Sequence, residues 1–235
     1  MTSVKLSDRH RLGFLVHESA SFTRYSRAVT IMFTLKKPDE AAINRYLENC
    51  QKLSYSYRDV GATDRKQEAV KAPTGFKLDT YEIDLGSGEE TYQRAKKAIR
   101  EWKMFPRSMV SLFWPTAPIE KGAIVALLFR YGFWALNSAR IVYTFDETGA
   151  SDRFGFAYGT LTDHVESGEE QFAVSWDHET DRVSYQINVF SRPAHWLVWL
   201  GYPFARREQA RFRKLSGQAM QESVQLETTT TSSTR

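Results

Sequence analysis

His164-Val165-Glu166 is a compact acid/base group in the chain. On an extended backbone residues two apart face the same way, so the carboxylate can orient the imidazole for proton transfer. These two residues are the catalytic candidates, and the plainer reading of the same tripeptide is a polar turn. Arg140 stands inside an apolar run, where an inward cation needs a partner. That partner is either a buried carboxylate such as Glu170 or the acid group of a ligand. Tyr158, Trp176 and Tyr185 read as core aromatics with partners for their polar atoms, and as cavity-lining residues if the sheet curls around a space. Cys50 falls on the apolar side of a helical segment, nothing near it in sequence argues that it is a nucleophile, and it reads as a small core residue. The chain contains no glycine-rich phosphate loop, no GxSxG elbow, no HExxH and no Cys/His metal spacing, so neither a cofactor nor a metal is expected.

The elements that must position these residues lie between Asn137 and Arg192. Four runs alternate there with period two. Ala139, Ile141, Tyr143 and Phe145 share one face of the first, and Phe154, Phe156, Tyr158 and Thr160 one face of the second. Phe172, Val174 and Trp176 mark the third, and Val183, Tyr185, Ile187 and Val189 the fourth. Aromatic and β-branched residues in this pattern, separated by short polar turns, predict an antiparallel meander. The opposite face of the second run is Gly155, Ala157 and Gly159. Small residues there let a strand bend or another segment approach, or else leave room for a ligand.

Upstream, residues 38–53 predict a helix with Ile43, Tyr46, Leu47 and Cys50 on one face, and Phe76–Leu85 a strand. Ser87-Gly88-Glu89-Glu90 has the spacing of a capping box and predicts a helix over 88–104, ended by Pro106. The same tetrapeptide at Ser167-Gly168-Glu169-Glu170 precedes an alternating run and is expected to be a turn. Residues 110–114 and 123–130 predict two more strands, the second apolar on both sides and therefore central. After Arg192-Pro193 the chain turns helical, with a start near Arg192 or a restart at Pro203. Residues 192–214 carry six Lys/Arg against one Glu, and Trp196, Leu197, Trp199, Leu200, Tyr202 and Phe204 precede most of the charge. The plain reading buries the aromatics against the sheet and wets the basic side. The sharper one is peripheral membrane contact through 192–214.

A length of 235 residues suits one domain, and 42% hydrophobic content with 14% aromatic is enough for a core. A net charge of +4 without a recognisable module gives no reason to expect nucleic acid. One cysteine excludes an internal disulfide and suits a reducing compartment, so the expected location is cytoplasmic. No apolar run approaches the roughly 20 residues that span a bilayer. Residues 1–35, with only Asp8 and Glu18 as acids, are expected to be a flexible extension. An organelle is the alternative destination, if they act as a transit peptide. Residues 36–224 are expected to form the domain and 225–235 a disordered tail.

Several segments together resemble the bacterial and plant family called domain of unknown function nineteen-ninety: LSYSYRDVGAT, LGSGEETYQRAKKAIREWKMF, NSARIVYTFDE, RFGFAYGTLTDHVESGEEQFAVSWD and FSRPAHWLVWLGYPFARREQARF. The likeness runs from about Leu53 to Phe212. It implies an α+β helix-grip fold, a curved antiparallel sheet wrapped on a long carboxyl-terminal helix, similar to the START and birch-pollen-allergen group. Members of that group commonly hold apolar ligands between sheet and helix, and some act as cyclases or hydratases. The motif residues are Asn137, Arg140, Tyr158, His164, Glu166, Ser191 and Arg192. With Trp176 and Tyr185 they supply the expected ligand contacts: Arg140, Tyr158, Trp176, Tyr185, Asn137 and Arg192. The expected function is binding of a small apolar or amphipathic ligand. The alternatives are acid–base catalysis by His164 and Glu166 on the same scaffold, and a membrane-surface or protein-interaction module. Oligomeric state is left open.

Overall fold

Alternating aromatic and β-branched residues build one antiparallel sheet, and two helices cover its inner face. The computed structural model describes residues 33–64, 70–113, 118–194 and 201–232, with side chains to Gln225 in the last segment. In chain order the elements are β1 (Phe33–Thr34), α1 (Glu40–Cys50), β2 (Lys77–Ser87), α2 (Glu89–Arg100) and β3 (Val110–Phe113). There follow β4 (Ile124–Arg130), β5 (Trp134–Glu147), β6 (Ser151–Thr160), β7 (Glu166–Asp177), β8 (Arg182–Pro193) and α3 (Tyr202–Ser232). The strand order is β2-β8-β7-β6-β5-β4-β3, with β1 paired to the start of β5. The first long strand therefore closes against the last one, and α3 crosses the concave side. This is the helix-grip arrangement.

The inward parity set out above holds for β6, β7 and β8, whose Phe156, Phe172, Val174, Val183, Tyr185 and Ile187 are buried in the main core. It fails halfway along β5. A bulge between Ile141 and Tyr143 moves the register by one, so Ala139 and Ile141 face the core while Tyr143 lies opposite Ala157 on the outer side. An extra residue in one strand reverses every side chain beyond it. The Gly-Ala-Gly face is likewise outer. A Cβ on Gly159 would collide with the Tyr57 hydroxyl, and one on Gly155 with the Phe172 carbonyl and the Phe145 ring. Smallness there serves close approach and clears no ligand space.

Asp39 caps α1, its carboxylate accepting the Ala42 N–H at 2.7 Å. The buried face of α1 packs on Ala126, Leu128 and Leu136. This explains why β4 is apolar on both sides. It is next to the edge strand β3 and not central, and α1 covers its outer face while Val125 and Leu127 enter the main core. The capping-box reading of 87–90 also fails. Ser87 stays in the ladder opposite Arg182, and Gly88, at φ 85°, is the cap with no side-chain bond. Trp102 at φ 57° follows the last turn, so the helix stops short of 104. The second copy, 167–170, is not a turn. It lies inside β7, where Gly168 faces Ser191 so closely that a Cβ would strike the Phe190 carbonyl. In both places ladder pairing overrides the local motif.

Arg192 and Pro193 end β8, paired with Ser167 and Glu166, so α3 starts at Tyr202 with Pro203 in its first turn. Inward residues Phe212, Ser216, Met220 and Val224 follow at every fourth position and are buried against the sheet. Tyr185 and Ser216 share a hydrogen bond of 2.7 Å under the helix. The helix continues to Ser232, past the boundary at 224 drawn from composition. Extending an existing helix costs far less than starting one, which outweighs the poor propensity of the Thr run. Residues 1–32 and 195–200, including His195, Trp196, Leu197, Trp199 and Leu200, lie outside the described residues.

Candidate functional site

Between the concave sheet and the amino-terminal half of α3 lies a cavity of about 640 Å³. Its walls are mainly apolar, supplied by Met109, Leu127, Phe129, Phe190 and Phe212 among others. The buried apolar residues of α3 begin at Phe212, while its first turns reach β2 and β7 through the polar side chains of Arg206 and Gln209 and leave the space between them and the sheet unfilled. Leu35 and Phe204 belong to the lining yet are 88% and 52% exposed, and so mark the mouth. Phe204 stands edge-on to Tyr131 at 6.0 Å.

Polar side chains are few and each has a definite position. Tyr158 on β6 donates to Glu170 Oε2 on β7 at 2.6 Å. Burial pushes the Glu170 carboxyl up to about 7, against the lowering effects of the Tyr158 bond and of Arg213. Glu166 is also raised, chiefly by burial, and both its oxygens accept from Gln209 Nε2, at 2.7 and 2.9 Å. Gln209 Oε1 in turn accepts from Arg206, which grips Asp79 of β2 with both terminal nitrogens at 2.5 and 2.6 Å. A chain Asp79–Arg206–Gln209–Glu166 thus fastens the first turns of α3 to both β2 and β7. The Arg206 bonds hold the Asp79 carboxyl below its ordinary range. Glu169, also at the wall, is consumed by structure. Its carboxylate accepts from Tyr57 Oη, from the N–H groups of Gly61 and Thr63, and from the Thr63 hydroxyl.

Of the residues singled out by sequence, Asn137, Tyr158, His164 and Glu166 line the cavity, and Arg140, Trp176, Tyr185 and Arg192 do not. His164 and Glu166 do not form a carboxylate–imidazole pair. The Glu166 backbone N–H donates to His164 Nδ1 at 2.9 Å, and the Glu166 side chain turns to Gln209. The Glu166 carbonyl also lies 3.0 Å from Nδ1, so the backbone of Glu166 holds this ring nitrogen in either neutral tautomer. Burial lowers the imidazole to about 4 and keeps it neutral. Arg140 meets neither Glu170 nor the cavity. It donates to the Cys50 and Gln51 carbonyls at 3.1 Å and lies over the Tyr55 ring, closing the carboxyl end of α1. A long cation on the bulged strand finds a helix terminus within reach, and the last carbonyls of that helix accept its hydrogen bonds.

Trp176 donates to Asp181 at 2.8 Å beside a turn, and exposed Arg192 lies over Phe76 at 4.5 Å. Cys50 is buried with Asp163 3.7 Å from its sulfur, and burial pushes its thiol up to about 11, so it stays protonated. Among the polar cavity residues that sequence reasoning did not assign to a site are Glu208, Gln209 and Arg213. Glu208 had a signal, a charge interrupting the apolar line of the last helix. Gln209 and Arg213 had none, because their role depends on how α3 is rotated over the sheet. Among the described residues no group of three His, Cys, Asp or Glu is disposed to hold a metal.

Sheet order, the gripped helix and the enclosed cavity define the molecule as a helix-grip protein. The chain belongs to the family described as domain of unknown function (DUF1990), which it matches over residues 56–219. A UPF0548 protein of Dictyostelium discoideum is 36% identical over 195 residues, covering 77% of this chain and 90% of that one. A UPF0548 protein of Arabidopsis thaliana is 32% identical over 160 residues, covering 66% and 77%. Among solved structures, a norcoclaurine synthase of Thalictrum flavum overlaps with a TM-score of 0.39 at 10% identity, covering 65% of this chain and 98% of that one. At that level of similarity the fold assignment rests on the strand order and helix packing described above.

Proposed function

We propose that this protein binds a small apolar or amphipathic molecule in the cavity between the sheet and α3. The observation that carries the reading is the cavity itself: about 640 Å³, mainly apolar, with an apolar mouth at Leu35 and Phe204. Ligand sites are concave, largely apolar and of this size. Acid–base chemistry on the bound molecule is a second reading, favoured by one feature. The Glu170 carboxyl, raised to about 7, is tuned to the range in which a side chain both gives and takes a proton. On that reading Glu170, held by Tyr158, takes the place first given to the His164–Glu166 pair.

The test is titration with a neutral solvatochromic dye, alongside native mass spectrometry of protein purified from its own cells. The expected results are saturable dye fluorescence and a co-purifying apolar mass. Ala205→Trp, which fills the cavity from the helix side, should abolish both while leaving the thermal midpoint unchanged or higher. Dye binding that persists undiminished in Ala205→Trp places the ligand elsewhere and overturns the reading.

A further inference from the structure

Asn137 is a polar side chain set in the apolar floor of the cavity. It lies on the inward parity of β5, between Ala135 and Ala139 and opposite Leu127 of β4, and is only 4% exposed. Leu127, Ala135 and Asn137 all line the same space. No described residue hydrogen-bonds to the Asn137 side chain. The two ends of its amide differ. The oxygen is fully buried without a partner, and the nitrogen is the side-chain atom left accessible. What the cavity meets at Asn137 is therefore an NH₂ group, which can donate and cannot accept. A buried amide without partners lowers stability, and an apolar residue of the same shape would remove that loss. Packing gives no reason for asparagine here, whereas a molecule in the cavity does.

We infer that Asn137 is a specificity-determining residue whose amide NH₂ donates to a carbonyl oxygen of the bound molecule, a long-chain or polycyclic ketone, ester or amide. This rests on the cavity being a binding site, and it narrows what that site takes. A carbonyl oxygen accepts and has no proton of its own to place, which suits a position that offers donors alone. A hydroxyl head would need a separate acceptor for its hydrogen. Asn137 is far more buried than Leu35 and Phe204 at the mouth, so the carbonyl end enters first, and the apolar body trails along Leu127, Phe129 and Phe212. Donation to the ligand breaks no bond within the protein, because the nitrogen has no partner to give up.

The experiment measures nonan-2-one and 2-methylnon-1-ene as competitors of the neutral dye, on the intact wild-type protein and on Asn137→Leu. Each affinity is corrected for the dye affinity of that variant. The two probes share a shape and differ in one group, a carbonyl oxygen against a methylene. Asn137→Leu should weaken the ketone at least about tenfold, one decade being about 1.4 kcal/mol, and hold the alkene as tightly as wild type or more so. The thermal midpoint of ligand-free Asn137→Leu should be no lower than that of wild type, which separates loss of the donor from loss of the fold. A second measurement needs no variant. The carbonyl carbon of isotopically labelled nonan-2-one, bound to wild type, should resonate downfield of its position in heptane, as a carbonyl does on accepting a hydrogen bond. Equal changes for ketone and alkene in Asn137→Leu, or a bound carbonyl at its heptane position in wild type, overturn the inference and leave the cavity a binding site. If neither the dye nor either probe binds the wild type, the binding-site reading falls and this inference with it.

Discussion

Two buried groups at the cavity wall titrate in opposite senses. His164 has its pKa lowered from 6.5 to about 4, so between those values the folded protein holds fewer protons than the unfolded chain, and stability rises with pH. Glu170 has its pKa raised from 4.5 to about 7, so the folded protein holds more protons in that window, and stability falls as pH rises. Each full span corresponds to at most about 3.4 kcal/mol, and from pH 4.5 to 6.5 the two nearly cancel. Glu166, raised by the same burial, adds to the Glu170 side. Urea midpoints measured from pH 4.5 to 6.5 should therefore fall only slightly in the wild type, through the uncancelled Glu166. Glu170→Gln should unmask a rise of about 2 kcal/mol across that window. His164→Gln should unmask a fall of similar size. Profiles parallel to the wild type in both variants would show that neither group is desolvated.

At the scale of elements, α1 is joined to the sheet by one apolar face and by one cation. Arg140 supplies two charge-assisted hydrogen bonds to the Cys50 and Gln51 carbonyls and stays partly exposed. Arg140→Leu should cost about 1–2 kcal/mol in chemical denaturation, the range for such bonds at a helix terminus. A loss of roughly 3–5 kcal/mol would instead be the mark of a broken buried ion pair, the arrangement first expected from sequence. The β5 bulge belongs to the same scale. Counting by twos along residues 139–145 puts Tyr143 inside, and it is outside because one residue is left unpaired against β6. The repeated Ser-Gly-Glu-Glu makes the same point, since identical tetrapeptides begin a helix at one site and extend a strand at the other.

At the scale of the whole molecule, the basic stretch of α3 divides into engaged and free charges. Arg206 and Arg213 face Asp79, Arg211 pairs with Glu208 at 3.3 Å, and Arg207 and Lys214 have no ion pair among the described residues. Two free cations contribute roughly 1 kcal/mol each at an anionic surface, too little for stable attachment. Tyr202 and Phe204 are exposed, contrary to the burial expected of them, so an apolar rim does surround the mouth. Co-sedimentation with anionic vesicles should accordingly be weak and depend little on salt. The variant Arg206→Ala/Arg207→Ala/Arg211→Ala should change it by less than about threefold. Strong, salt-sensitive pelleting lost in that variant would make membrane attachment a principal role of the helix. No described helix is long and apolar enough to cross a bilayer.

Alternation of side chains from Asn137 to Arg192 determined the meander by itself, because one face of an antiparallel sheet must be apolar to be buried and the period of two admits no other element. The same local logic determined α1 and α2, whose apolar stripes repeat at the helical period. The cavity was not legible in this way. It depends on how far the first turns of α3 stand from the sheet, which is set by the joint packing of Phe212, Ser216, Met220 and Val224 and by the Arg206 and Gln209 bonds to strands far away in sequence. The partners of charged residues were decided there too. Arg140 went to a helix end, Glu166 to Gln209 and Glu170 to Tyr158, because a charge takes whatever complementary group the assembled fold brings within about 3 Å, and no spacing along the chain encodes that neighbour.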